Sequence, residues 1–503
     1  MTEFELKFQV DPQYRAAVES AVARGSSRRE RLQARYYDTA DGALAAQRII
    51  LRIRKEGRRW VQTAKAPGGH PLERHEHNVD IATPKTSDVP PPRLERHAGT
   101  PIGTLIDKAL RAAGQDPAEA QLMPLYATDI RRTTREMRTG DARIELAFDR
   151  GEVRAGNRSY PVCELELELK SGSPRSMLEL ARRWRIRYGL WLDTVSKSAR
   201  GERLAKGIEY GEAVKAEPPS VHGDMDGPQV FRAVIGACLA QMLPNASEVA
   251  AGSLEAEHVH QLRVGIRRLR TALREMADLA PAIDSVWEPA LVDAFRALGR
   301  QRDREHLQKT VQPQIEAAGG PPVAWAEPAE PEPAPAAVVR DRTFQLVLMS
   351  LIAASLPPDE DAADAPPSKQ KSELARKPLR ARLNKLHRKV VRDGRHFETL
   401  EPEAQHRVRK RLKRLRYLGE FVAPIFGEAR AARYLQELRP AQDALGEHND
   451  AAVAIDAYRK AADHDGSAWF AVGWLSARQA QSAIACRDAL DKVAQARRFW
   501  KSS

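Results

Sequence analysis

The sequence predicts an α+β multidomain protein, with a strand-rich amino-terminal domain followed by an all-α bundle of two pseudo-symmetric halves. Three observations predict it. Over about residues 1–210, polar and apolar side chains alternate at period two. From about 229 to 498, apolar residues recur at helical spacing. Within that second stretch two motifs occur twice in one order. His260-Gln-Leu-Arg263 and His406-Arg-Val-Arg409 lie 146 residues apart, and Leu298-Gly299 with Asp303 precedes Leu445-Gly446 with Asp450 by 147. A shared order at nearly one offset marks a duplicated helical unit.

The elements follow in order. FELKF (4–8), ILRIR (50–54), ARIELAFD (142–149) and CELELELK (163–170) read as strands. Helical patches fall at about 101–113 and 175–191, the second with Ser173 to cap it and Pro174 in its first turn. Residues 211–228, rich in Pro, Gly and Asp, read as a linker. Two Pro- and acid-rich insertions, about 317–340 and 357–373, are expected to be disordered, with packed helix over Phe344–Ser355 between them.

Composition narrows the function. The 503 residues are 42% apolar and 30% charged, enough for real cores. The 81 Lys and Arg against 68 Asp and Glu leave +13, which favours polyanionic partners. Aromatics are only 6%, and few interleave with the basic helices, which argues against nucleic acid. The most apolar run, Leu346–Ala354, is too short to span a bilayer, and the first ten residues carry no signal pattern, so a membrane is not expected. Cys163, Cys238 and Cys486 match no metal or disulfide spacing, which fits a reducing cytoplasm.

The strands carry charge on one face. Glu3, Glu5 and Lys7 alternate with Phe4, Leu6 and Phe8. That strand alone could be an edge strand with a solvated polar face. CELELELK, however, sets Glu164, Glu166 and Glu168 opposite Leu165, Leu167 and Leu169. If the leucines pack against helices, the glutamates face an interior and need cations. Arg52 and Arg54 share a face of ILRIR, and Lys65, Arg132, Lys197 and Arg200 occur in other segments, while Glu145 and Asp149 add acids at one parity. Clustered carboxylates bind hard divalent cations such as Mg²⁺ or Mn²⁺, and Arg and Lys neutralise phosphate, a set suited to hydrolysing a compact polyphosphate.

At these residues the chain resembles a known family. Glu3-Phe-Glu5-Leu-Lys7 matches the ExExK signature of the CYTH, or triphosphate tunnel metalloenzyme, superfamily. The resemblance spans about residues 1–205 and includes LRIRKEG (51–57), Lys65, Arg74 with Glu76, FDRG around Asp149, ELELELKSG (164–172) and SKSARG (196–201). It implies an eight-stranded antiparallel tunnel that holds triphosphate with Mg²⁺ or Mn²⁺. Glu3, Glu5 and Lys7 would be catalytic, and Glu3, Glu5, Asp149, Glu164, Glu166 and Glu168 would supply metal ligands. Lys7, Arg52, Arg54, Lys65, Arg132, Lys197 and Arg200 would hold phosphate. Which two of the three late glutamates reach the metal stays open, as does Arg131 against Arg132.

In the helical half, positions i, i+3, i+7 and i+10 form one stripe. His260, Arg263, Arg267 and Arg270 make one such stripe, and His406, Arg409, Lys413 and Arg416 a second. Each alone could be a solvated charged face, but duplicated like charges repel unless an anion lies along them. HQLRVGIRRLR and HRVRKRLKRLRYLGEF, with LGRQRD and LGEHND, resemble the repeated motifs of the CHAD domain. That resemblance implies a helical bundle whose eight stripe residues bind inorganic polyphosphate. Together the two resemblances imply a metal-dependent inorganic triphosphatase with a polyphosphate-binding domain, in the cytoplasm or at polyphosphate granules. Thiamine triphosphatase and adenylate cyclase activity, or a non-catalytic polyphosphate or granule binder, are the alternatives.

Overall fold

The computed structural model describes residues 4–67, 74–82, 89–280, 283–325, 332–358 and 374–501. It divides into two compact units, Met1–Ala213 with Ala246–Ser253, and Val214–Asn245 with Leu254–Ser503.

Among the described residues the first unit is built on nine strands: β1 (Phe4–Gln9), β2 (Ser27–Asp38), β3 (Ile50–Glu56), β4 (Arg59–Pro67), β5 (Arg74–Ile81), β6 (Met123–Thr139), β7 (Ala142–Ala155), β8 (Arg158–Ser171) and β9 (Trp191–Leu192). Its helices are α1 (Arg15–Val22), α2 (Ala43–Ala46), α3 (Pro101–Ala112), α4 (Pro174–Tyr188) and α5 (Lys197–Lys206). The strand order is β5-β4-β3-β2-β6-β7-β8-β1-β9, and every ladder is antiparallel. The expected eight strands become nine because the two-residue β9 pairs with the outer edge of β1 at Phe8 and Gln9, a segment too short to show any alternation. Among the described residues no ladder joins β5 to β9.

Apolar burial fixes which face is inside. Leu165 and Leu167 are fully buried, as are Ile144, Leu146 and Phe148 of β7, and α4 packs on this side with Met177, Leu178 and Ala181. Ser173 caps α4 by accepting the Arg175 N–H, and Pro174 occupies its first turn, as the sequence predicts. On β3 and β4, Leu51, Ile53, Trp60 and Ala64 form a core with α2 and α3. The charged parity therefore faces the other way. One end of that inner face is filled by Leu32, Ala34, Tyr36, Tyr126, Ile130, Val153 and Val162, with Leu204 and Ala205 of α5 packed on them. Tyr36 and Tyr126 stack at 4.5 Å. Helix α5 can approach this pair because residue 201 is glycine: a Cβ there would fall 2.1 Å from the Tyr126 ring.

The helical elements are α6 (Gly227–Ala251), α7 (Ala256–Glu275), α8 (Trp287–His306), α9 (Gln312–Ala317), α10 (Pro335–Arg340), α11 (Arg342–Ser355), α12 (Arg376–Gly394), α13 (Pro402–Phe426), α14 (Glu428–Ala461) and α15 (Ala468–Gln495). The order of α7 and α8 recurs in α13 and α14, each pair carrying one copy of both repeated motifs. Helix α13 packs on α7, α12 and α14, and α14 packs on α15. No described helix is long and apolar enough to cross a membrane.

Part of the insertion expected to be disordered is ordered. Within 317–340, Val323 and Trp325 join a core with Tyr458, whose ring lies 4.8 Å from that of Trp325, and Pro335–Arg340 forms α10 with Val338 and Val339 buried. Burial of these few apolar side chains outweighs the Pro-rich composition around them. The remainder, 326–331, lies outside the described residues, as does nearly all of 357–373. Helix α11 covers the stretch expected over Phe344–Ser355.

Candidate active site and basic helix faces

Register brings the acids of the first unit into adjacent rows. Arg132 of β6 stands opposite Asp149 of β7, which stands opposite Glu164 of β8, which stands opposite Gln9 of β1. One step along, Glu166 lies opposite Lys7, and one further, Glu168 lies opposite Glu5. Asp149, Glu164 and Glu166 offer carboxylate oxygens that all lie within 4.8 Å of one another. Asp149 and Glu164 are buried.

Cations from three elements converge on this trio. Lys197, at the start of α5, places Nζ 2.7 Å from both Asp149 and Glu166 and also pairs with Glu164. Arg132 donates to both oxygens of Asp149 at 2.7 and 2.6 Å and to Glu166. Lys7 lies 3.6 Å from Glu164 and 3.3 Å from Asp193, and donates to the Val195 carbonyl. The electrostatic result is strong. Burial opposes the charge of Glu166, but Lys197 and Arg132 outweigh it and hold the carboxyl at about 2. The Lys197 ammonium is pushed well up in spite of burial, by Glu164 and Glu166.

Glu5 behaves differently. It keeps solvent access, yet the protein surrounding it and the neighbouring Glu166 raise its carboxyl to about 7. Arg132, three ladders away on β6, also acts on Glu5, lowering its pKa against the two larger effects. Among the described residues Asp149, Glu164, Glu166 and Asp193 all pair with Lys7, Arg132, Lys197 or Arg200, whereas Glu5 makes no ion pair. A clustered set of carboxylate oxygens suits a hard divalent cation.

The predicted residues therefore separate. Glu5, Lys7, Arg132, Asp149, Glu164, Glu166 and Lys197 come together, and Arg132 rather than Arg131 is the one turned inward. Glu168 does not join them: it pairs with Lys170 at 2.7 Å, and Lys170 also reaches Glu145. Glu3 lies outside the described residues. Arg200 is taken up by Asp193 at 2.5 Å and by the Tyr160 hydroxyl at 2.8 Å. On β3 and β4, Arg52 stands opposite Tyr36, Arg54 pairs with Glu56, and Lys65 pairs with Glu76. Burial opposes ionisation of the Tyr36 hydroxyl, but Arg52 beside it holds its pKa below the usual value.

Sequence reasoning missed Asp193 and Gln9. Asp193 is buried, accepts from Gln9 Nε2 at 2.6 Å and from the Val195 N–H at 2.8 Å, and holds Lys7 and Arg200. It directly follows β9, and no periodic pattern marks it. Its only signal is its place just before SKSARG.

In the helical unit the two predicted stripes meet across the contact of α7 with α13. Burial and the adjacent Arg267 and Arg409 push the Lys413 ammonium down to about 7, with Asp450 opposing. Burial and Arg267 likewise lower Arg409, whose Nε is buried with no acceptor among the described residues. Arg263 and Arg267 lie over the Phe295 ring at 4.7 and 5.2 Å, and Arg263 stands 3.8 Å from Asp303. The ends of the stripes are engaged elsewhere: Arg270 donates to Glu288 at 2.7 Å, Arg416 to Glu420 at 2.7 Å, and His406 contacts Asn449 at 2.9 Å. His260 is half-buried at the head of its stripe. Cationic side chains that depress one another form a face suited to an anion.

Comparison with known proteins places both units. Residues 1–201 match the CYTH domain model and residues 233–459 the CHAD domain model. An inorganic triphosphatase of Haemophilus influenzae is 29% identical over 210 residues, 41% of this chain, and the match spans only 55% of that relative's length. Among solved structures, the CHAD domain of the plant Ricinus communis is 24% identical, with a TM-score of 0.45 over 56% of this chain and 96% of that one. A putative adenylyl cyclase from Hippeastrum, reported with a dominant triphosphatase activity, is 17% identical, with a TM-score of 0.29 over 41% of this chain and 97% of that one. The chain joins a CYTH domain to a CHAD domain.

Proposed function

We propose that the first unit hydrolyses inorganic triphosphate to diphosphate and phosphate with a divalent metal, and that the second binds inorganic polyphosphate along its paired stripes. The observation that carries the first reading is the Asp149–Glu164–Glu166 trio faced by Lys7, Arg132 and Lys197. Asp149, Glu164, Glu166 and Glu5 would hold Mg²⁺ or Mn²⁺, which supplies charge neutralisation for phosphate oxygens and an acidified water. Lys7, Arg132 and Lys197 then clamp phosphate from one side, and Arg52, Arg54 and Lys65 from β3 and β4 supply cations on the same face of the sheet. Asp193 with Arg200 positions Lys7. Similarity to the Haemophilus inorganic triphosphatase supports this substrate.

The second reading rests on Lys413, Arg409 and Arg267, whose mutual repulsion a polyphosphate chain would relieve. The deciding experiment is phosphate release by the purified protein from tripolyphosphate, ATP, thiamine triphosphate and long polyphosphate, with Mg²⁺, Mn²⁺ or excess chelator. Tripolyphosphate should be the best substrate, and chelator should stop its turnover. Full turnover in chelator rejects the mechanism.

A further inference from the structure

A second basic site lies in the helical unit, on a different face from the repeat stripes. A cavity of about 860 Å³ opens between the later part of α12, the first turns of α14 and the segment after α15. Eight of its lining residues are Arg or Lys, and Glu437 is the single carboxylate among them. Arg388 and Arg395 come from α12 and the turn that follows it, Arg433 from α14, and Arg497, Arg498 and Lys501 from the segment after α15. Arg392 and Arg430 also line it, but Asp393 and the Phe426 carbonyl already engage them. Arg388, Arg395, Arg433 and Arg497 have no ion-pair partner among the described residues.

The walls are fixed rather than frayed. Phe499 and Trp500 are buried, Trp500 Nε1 donates to Asn384 Oδ1 at 3.0 Å, the Trp500 ring packs edge-on with those of Tyr434 and Phe499 at 4.9 Å, and Phe499 lies tilted 5.6 Å from Tyr434. That anchor sets Arg497, Arg498 and Lys501 at the rim. At the base lies His387, buried and 2.9 Å from the Tyr434 hydroxyl; burial, with Arg498 and Lys501 nearby, lowers its pKa to about 4. On α14, Arg433 is nine residues from Gln442, which faces the Arg416 end of the stripe. Nine residues is half a turn out of phase, so the cavity and the stripe use opposite sides of α14. The segment from 497 also lies beyond residues 233–459, the CHAD match.

We infer that this cavity is a separate binding site for a compact oligophosphate anion, either a short inorganic phosphate chain or the phosphate tail of a nucleotide. Its volume falls in the range of small-molecule sites. Several arginines without carboxylate partners, set around one hollow, match a ligand with several phosphates better than a single anion. The cavity lies outside the stripes and outside the strand unit, so binding there is independent of the activities proposed above.

The test is arginine labelling of the full chain by phenylglyoxal, read peptide by peptide by mass spectrometry, with tripolyphosphate or ATP added at matched ionic strength. Labelling at Arg388, Arg395, Arg433 and Arg497 should slow to a small fraction of its rate, while Arg439 and Arg459, exposed on α14 and absent from the cavity lining, should react as before. Protection by tripolyphosphate, by ATP or by both supports the site and identifies the source of the phosphates. Equal slowing at Arg439 and Arg459, or none at the cavity, overturns it. In the Arg433→Ala/Arg497→Ala variant, the tripolyphosphate concentration that half-protects Arg388 and Arg395 should rise at least about tenfold, equivalent to about 1.4 kcal/mol. An unchanged midpoint in that variant, shown folded by its melting curve, also overturns the inference. The Arg409→Ala/Lys413→Ala variant should keep cavity protection, and losing it there would mean the site is not separate. Failure of the stripe reading shows elsewhere, as Arg267 left unprotected by long polyphosphate in the wild type.

Discussion

Two part-buried lysines of this chain have opposite electrostatic fates. Lys197 sits among Asp149, Glu164 and Glu166, and its ammonium is held well above the usual lysine pKa. Lys413 sits beside Arg267 and Arg409, and its ammonium falls to about 7. The strand unit balances its buried charges internally, whereas the helical unit leaves like charges facing each other. The first leaves Glu5 without an ion pair among the described residues and would gain from a cation, while the second would gain from an anion.

Lys197→Met removes the cation shared by three carboxylates and should cost about 3–5 kcal/mol of stability without metal, part of it restored by Mg²⁺ or Mn²⁺. Lys413→Met should leave stability unchanged or raise it by up to about 1 kcal/mol. Thermal melts of both variants, with and without divalent ions, check the contrast, and equal losses would end it.

Next in size is turnover. Glu166→Gln keeps the shape of the trio but removes one ligand charge, so metal-dependent tripolyphosphate hydrolysis should fall at least about 100-fold. Long-chain polyphosphate binding should not change in the same variant. Replacing Arg263, Arg267, Arg409 and Lys413 together by Ala should do the reverse, and steady-state rates beside binding isotherms report both.

The two sites should exchange protons in opposite directions. Glu5 at about 7 must ionise to hold a metal, so divalent binding should release up to about one proton and strengthen as pH rises through 7. Lys413 must charge to hold an anion, so polyphosphate binding near pH 8 should take up to about one proton. The Lys413 pKa is lowered on folding from 10.5 to about 7, so between those values the unfolded chain binds more protons and stability from this group rises with pH. It is lost again as pH falls toward 7. Calorimetry in buffers of different ionisation enthalpy measures both proton counts, and Glu5→Gln and Lys413→Arg should flatten them.

The smallest effects belong to the stripe ends. Arg270→Ala and Arg416→Ala each break a pair with a solvent-accessible carboxylate, Glu288 or Glu420, and should cost less than about 1 kcal/mol of stability. They should also weaken polyphosphate binding less than Arg267→Ala or Arg409→Ala. A larger loss at Arg270 than at Arg267 would move the anion toward α8.

Much of this was legible because alternation reports which face a side chain takes. The Glu164–Glu166–Glu168 row is read directly from CELELELK, and so is its leucine backing. What alternation cannot report is position along the strand relative to neighbours. Glu168 shares the parity of Glu166 but stands two residues nearer Lys170, and only register separates them. Arg131 and Arg132 were equivalent until the pairing of β6 with β7 set Arg132 against Asp149. Asp193 was invisible because it follows a strand of two residues. In the helical unit the stripes were plain, but the repulsion between Lys413 and Arg267 needs the packing of α13 on α7, which no local pattern encodes. Trp325 was hidden by its surroundings, one apolar anchor inside a run of Pro and Glu.

The placement of β1 has a consequence in time. It lies between β8 and β9, pairing with Glu164–Leu169 on one side and Trp191–Leu192 on the other, although it is the first strand of the sheet to be made. At roughly 5–20 residues per second, a ribosome needs on the order of ten seconds or more to supply those partners. Throughout that interval Glu5 and Lys7 belong to an unpaired strand, and Asp149 and Glu164 have no site to complete. Such distant pairing also slows the folding step itself. The pocket that would handle triphosphate therefore cannot exist on a nascent chain that has made only its first strands. It can be completed only once the chain has been made through Leu192, when the oldest strand of the sheet has both β8 and β9 to pair with.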